Sequence, residues 1–138
     1  RELDAFMDDR FPEARSFGEV TIQSVEEGRV VARLATRREH LRPGGTVSGP
    51  TLMTFADQVM YYAVLSAIGP VELAVTTHIS MDFLRRPTLS DVVAEAELLK
   101  QGRRLIVGRV TLRSESEPRP IAHATLTYSV PPAAEETP

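Results

Sequence analysis

Cysteine is absent from this 138-residue chain, which excludes disulfides, thiolate metal sites and a cysteine nucleophile, and gives no support for an oxidising compartment. A basic surplus is absent too. Sixteen Lys and Arg against nineteen Asp and Glu leave a formal net charge of −3, whereas a general nucleic-acid binder carries a basic excess or stripe. No apolar run has the length of a membrane span: the longest, Val59–Ile68, is interrupted by Ser66 and reaches about half of the roughly 20 residues required. Neither a signal-peptide pattern nor an internal repeat is visible. What is present, 42% apolar and 25% charged residues, is the composition of a globular domain. The expectation is one cytoplasmic domain over residues 1–130, with a polar tail over 131–138 expected to be disordered.

The hydrophobic pattern divides the chain into elements. Leu3, Phe6, Met7 and Arg10 recur at helical spacing before Pro12 and predict a short N-terminal helix. Val20 and Ile22, then Val30, Ala32 and Leu34, alternate with polar residues on either side of a turn at Glu26–Gly28, the pattern of a hairpin with one buried face. Periodicity is lost from Thr36 to Gly49, a polar stretch carrying His40, Arg42, Pro43, Gly44 and Gly45, and loops of this length inside a compact domain are commonly functional. Pro50–Ile68 is apolar or small around nearly its whole circumference, which predicts a buried helix entered through Pro50 and stopped by Gly69 and Pro70.

Beyond it, Val71, Leu73, Val75, Thr77, Ile79, Met81 and Phe83 alternate in one unbroken phase, and three further strands follow over Asp91–Lys100, Leu105–Ser114 and Ile121–Val130. A single apolar helix between the second and third strands is buried only if the sheet curls around it. The predicted class is therefore α+β, a curved antiparallel sheet wrapped around one long central helix.

Asp57 is the anomaly of that helix. A carboxylate on an otherwise apolar element needs compensating partners or an opening, and it lies about two turns from the helix start, where the dipole contribution has faded. Its alternatives are an exposed surface group and a functional one. Gly49 precedes the helix, where free N–H groups at Gly49 and Thr51 suit a carboxyl or thioester oxygen; otherwise Gly49 only permits a turn. Ser48 lacks the G-x-S-x-G elbow of a serine hydrolase, being flanked by Thr46 and Pro50. His40, His78 and His123 are too far apart for a metal-ligand spacing, so no metal is expected.

The run Gly45-Thr46-Val47-Ser48-Gly49-Pro50, followed by Leu52-Met53-Thr54-Phe55-Ala56-Asp57, resembles the signature of hotdog-fold acyl-CoA thioesterases of the phenylacetate-pathway (PaaI-like) type. Val75-Thr76-Thr77-His78-Ile79-Ser80-Met81-Asp82-Phe83-Leu84-Arg85-Arg86-Pro87 is similar to that family's third strand, and Gly102-Arg103-Arg104 to its strand-turning corner. The similarity runs from about Val20 to Val130. It implies hydrolysis of small or medium acyl-CoA thioesters to the free acid and coenzyme A, with no cofactor, and the alternative is an acyl-CoA-binding sensor or carrier without hydrolysis. It also implies that Asp57 acts as nucleophile or general base and that the Gly49 N–H polarises the thioester carbonyl.

Two positions depart from the family pattern: Ser48 replaces its His and Pro50 its second Gly. Ser48 is expected to assist by hydrogen bonding. His40 and Arg42 are the nearest polar candidates for a loop residue that the family places upstream, Tyr61 is expected to border the acyl pocket, and Arg85, Arg86, Arg103 and Arg104 to meet the phosphates of coenzyme A. Eight residues of helix separate Gly49 from Asp57 by about 12 Å, so one carbonyl does not touch both within a subunit. The expected unit is a homodimer or a tetramer built from it.

Overall fold

The computed structural model describes residues 17–69 and 74–131. The predicted N-terminal helix, the start of the third strand at residues 71–73 and the tail beyond residue 131 lie outside these. Within the described residues the elements are β1 (Glu19–Glu26), β2 (Arg29–Ala35), a 3-10 turn (Arg38–His40), α1 (Gly49–Ile68), β3 (Val75–Phe83), β4 (Val92–Gln101), β5 (Leu105–Ser114) and β6 (Ala122–Ser129). All strand pairings are antiparallel, in the order β1-β2-β4-β5-β6-β3, which leaves β1 and β3 as the edges.

The helix lies on one face of this sheet, mainly over β4, β2 and β5. Val30, Ala32 and Leu34 of β2, Val92, Ala94 and Ala96 of β4 and Ala122, Ala124 and Leu126 of β6 turn inward, and Phe55, Val59, Met60 and Val64 of the helix fill the space between. Small residues on the strands let the helix approach closely. At Gly108 a Cβ would stand 2.6 Å from the end of the Met60 side chain and 3.0 Å from the Glu97 carbonyl, so glycine there makes room for Met60. This is the expected hotdog architecture.

Two local features differ from the expectation. The helix begins one residue earlier, at Gly49, because Ser48 rather than Gly49 takes the extended N-cap conformation (φ −75°, ψ 153°). The unbroken alternation expected along β3 fails at its start. Pairing with β6 shifts register between Thr76 and His78, which inserts Thr77 as an extra residue. Thr76 thereby joins Ile79 and Met81 on the helix-facing side opposite Tyr128, while Val75, expected inside, points out and is 54% exposed.

Candidate active site

The stretch before the helix, expected to be an irregular loop, is a tight hairpin. Leu41 and Val47 form an antiparallel bridge, the Arg42 N–H donates to the Thr46 carbonyl at 2.8 Å, and Gly45 turns the chain at φ +83°. His40 is buried beneath it. Its Nδ1 accepts the Arg37 N–H at 3.0 Å, so Nε2 carries the proton and donates to the Phe17 carbonyl at 2.7 Å. Both ring nitrogens are thus used inside the chain, which corrects the expectation that His40 faces a ligand. Its carbonyl does the positioning, by accepting the Ser48 N–H at 2.8 Å and the Thr51 hydroxyl at 3.3 Å.

Ser48 caps the helix. Its Oγ accepts the Thr51 N–H at 3.2 Å and donates to Thr51 Oγ1 at 2.8 Å. The Leu52 N–H goes to the Ser48 carbonyl, and Pro50 has no N–H. Thr51, expected to offer a free donor, is therefore capped, and in the first turn the Gly49 N–H alone has no acceptor among the described residues. Gly49 lines a cleft of about 370 Å³ together with Arg42, Leu52, Phe83, Arg85 and Arg86. Three arginines, no acid and a helix N-terminus make the cleft a receptor for anionic or partially negative oxygen. Phe83 covers one wall, its Cζ 3.3 Å from where a Gly49 Cβ would stand.

Asp57 sits elsewhere. Two turns along the helix it is half-buried, and its Oδ1 accepts hydrogen bonds from Thr76 Oγ1 at 2.6 Å and from the Tyr128 hydroxyl at 2.8 Å. The Tyr128 hydroxyl is also 3.0 Å from the Asp57 backbone carbonyl. Burial above all, and then the neighbouring Asp57 carboxylate, hold the Tyr128 phenol above its ordinary titration range, so it stays a protonated donor. Oδ2 takes no hydrogen bond from the described residues. Tyr61, expected at the acyl pocket, is buried with its ring stacked on Tyr128 at 6.1 Å. Thr76 and Tyr128 were not among the expected site residues. A signal for Tyr128 exists, since an inward-facing phenol needs a polar partner, but the bulge that delivers Thr76 has no signature in the alternation.

Within one chain the structure brings Gly49, Arg42, Arg85 and Arg86 together but not Asp57. Arg103 and Arg104 are also apart. Their turn is tied to Val130 by the bond from its N–H to the Arg104 carbonyl, at the end of the sheet where Val75 meets Ser129. The cleft lies at the other end of β3, beside Phe83, about 26 Å along the strand. Arg103 and Arg104 thus share an end with Asp57 and its partners Thr76 and Tyr128. Among the described residues no group of three or more His, Asp or Glu could hold a metal ion, and no helix is long and apolar enough to cross a membrane.

Comparison with known proteins follows the same lines. A family model, the thioesterase superfamily, matches residues 44–121, more than half of the chain and the span from the hairpin through β5. Human acyl-coenzyme A thioesterase 13 is 26% identical over 114 residues, which cover 82% of this chain and 81% of that protein. Among solved structures, a thioesterase candidate from a Silicibacter species is 45% identical with a TM-score of 0.84, over 94% of this chain and 90% of the other. The phenylacetic acid degradation protein PaaI from Thermus thermophilus, solved as a mutant, is 27% identical with a TM-score of 0.75, over 87% of this chain and 99% of its own.

Proposed function

The chain belongs to the thioesterase superfamily, and on that premise we propose that it hydrolyses small or medium acyl-CoA thioesters to the free acid and coenzyme A, in the cytoplasm where such thioesters circulate. The observation that carries the reading is the pairing of one uncommitted helix N–H, in an arginine-lined cleft, with one half-buried carboxylate whose second oxygen is left open.

In this reading the thioester carbonyl oxygen accepts the Gly49 N–H. Asp57 Oδ2 takes a proton from water as the water attacks the carbonyl carbon, and the tetrahedral oxyanion gains most from the same N–H. Collapse of the intermediate breaks the C–S bond and expels the thiolate. Direct attack by Asp57, forming an anhydride that water then opens, uses the same atoms. Ser48 acts by capping Thr51, so that Gly49 is the donor left, and Pro50 keeps a competing N–H out of the first turn.

The site requires two copies. Among the described residues edge strand β3 has an unpaired side, and Val75 and Phe83 in it and Leu84 just beyond are half exposed. Antiparallel pairing of two β3 strands about a two-fold axis near Ile79 sets Phe83 of one copy against Thr76 of the other. Gly49 packs on Phe83 and Asp57 is bonded to Thr76, so this pairing carries the two reactive groups toward each other. It also brings Arg103 and Arg104 of the second copy toward the cleft holding Arg42, Arg85 and Arg86, which suits the phosphates of coenzyme A.

The test is release of free thiol from a panel of acyl-CoA thioesters by the wild type and Asp57→Asn. Turnover by the wild type and a loss of at least about 100-fold in the variant are expected for removal of a catalytic acid–base group. Binding of acyl-CoA without turnover by the wild type rejects the enzyme and supports a carrier or sensor.

A further inference from the structure

Tyr128 is 3% exposed, and its single hydroxyl proton stands between two acceptors of the same residue, Oδ1 and the main-chain carbonyl of Asp57, at 2.8 and 3.0 Å. A phenol that only needed its burial relieved would be content with the carbonyl. Gripping side chain and main chain together instead fixes the carboxylate plane relative to the helix. Tyr128 is itself held, by stacking on Tyr61 and by its place opposite Thr76 in the β3–β6 ladder. Asp57 has no ion pair among the described residues. The groups facing it are Tyr128 from β6, Thr76 from β3 and Tyr61 from its own helix, so the hydroxyls alone orient it.

We infer that Tyr128 is a positioning residue for hydrolysis: its two-point hold on Asp57 engages Oδ1 and turns Oδ2 toward the reacting carbonyl. This rests on the reading of Asp57 as the activating group. A carboxylate free to rotate would still bind substrate but would spend little time in the productive orientation, so the loss falls on kcat and not on KM.

Three proteins test it in the thiol-release assay. Tyr128→Phe keeps the ring and its stacking and deletes the hydroxyl; kcat is expected to fall about 10- to 100-fold with KM within about twofold. Replacing Tyr128 by p-aminophenylalanine restores an N–H donor in the same place, and kcat is expected between those of Phe and Tyr at unchanged KM. Should the Phe variant not fold, the amino variant compared with wild type decides alone, and a rise in KM at wild-type kcat, the mark of a merely structural role, overturns the proposal. Wild-type kcat in Tyr128→Phe overturns it as well, and so does a Phe-variant loss that the amino group does not relieve. Asp57→Asn separates the two claims. Its inactivity beside a fully active Tyr128→Phe overturns the role of Tyr128 only, whereas wild-type turnover by Asp57→Asn overturns both.

Discussion

Gly49→Pro is a way to delete a backbone hydrogen-bond donor without deleting the helix that carries it. Proline is favoured in the first turn because its fixed φ suits helix entry and its missing N–H had no intrahelical partner. Proline also requires an extended residue before it, and Ser48 already has φ −75° and ψ 153°. The steric cost has two parts, since position 49 precedes Pro50 and a side chain there is disfavoured in the helical conformation, in Gly49→Ala as in Gly49→Pro. The second part is a contact: a Cβ at position 49 stands 3.3 Å from Phe83 Cζ and 3.5 Å from Cε1, and the Phe83 ring must give way by a few tenths of an ångström. Gly49→Ala meets the same contact and retains the N–H, so the ratio of the two variants isolates the donor. Loss of one oxyanion-hole donor costs about 100- to 1000-fold in kcat, roughly 2.7–4 kcal/mol. The assay is steady-state thiol release with thermal melting as the control, and Gly49→Ala is expected within about tenfold of wild type, the effect of about 1.4 kcal/mol. If Gly49→Pro is folded and its kcat lies within about threefold of Gly49→Ala, the Gly49 N–H does not stabilise the transition state.

Other consequences are as direct. Ser48→Ala removes the N-cap and is expected to lower stability by about 0.5–2 kcal/mol in a denaturant titration, with a smaller loss of kcat than Gly49→Pro. Gly108→Ala forces a Cβ to within 2.6 Å of Met60 and 3.0 Å of the Glu97 carbonyl, an overpacking expected to cost about 1–3 kcal/mol in the same titration. Arg86→Ala and Arg42→Ala are expected to raise KM a few-fold, about 0.5–1 kcal/mol for exposed charges, with kcat nearly unchanged and the difference shrinking as salt is added.

Much of the fold is legible in the sequence because it rests on local pattern. The inward rows Val92, Ala94, Ala96 and Ala122, Ala124, Leu126 read directly from alternation, and the all-round apolarity of Pro50–Ile68 identifies the buried helix. The helix carboxylate and the glycine before it are also legible, as residue types out of keeping with their surroundings. What escapes depends on partners distant in the chain. The shift at Thr77 is set by pairing with β6 some fifty residues on, and one extra residue there exchanges Thr76 for Val75 on the inner face. The burial of His40 follows from Phe17 and Arg37, neither of which marks a polar histidine as structural. That Arg85 and Arg86 join Arg42 while Arg103 and Arg104 do not is a matter of which sheet end each turn occupies.

If the site takes Gly49 from one copy and Asp57 from the other, two dead variants mixed together complement each other. Gly49→Pro and Asp57→Asn are each inactive under this account, yet a dimer holding one of each contains one site with both native residues. After subunit exchange at equal amounts, about half the dimers are mixed and each has one working site, so activity is expected to return to about a quarter of the wild-type value. A mixture that exchanges subunits and stays as inactive as its components contradicts the shared site.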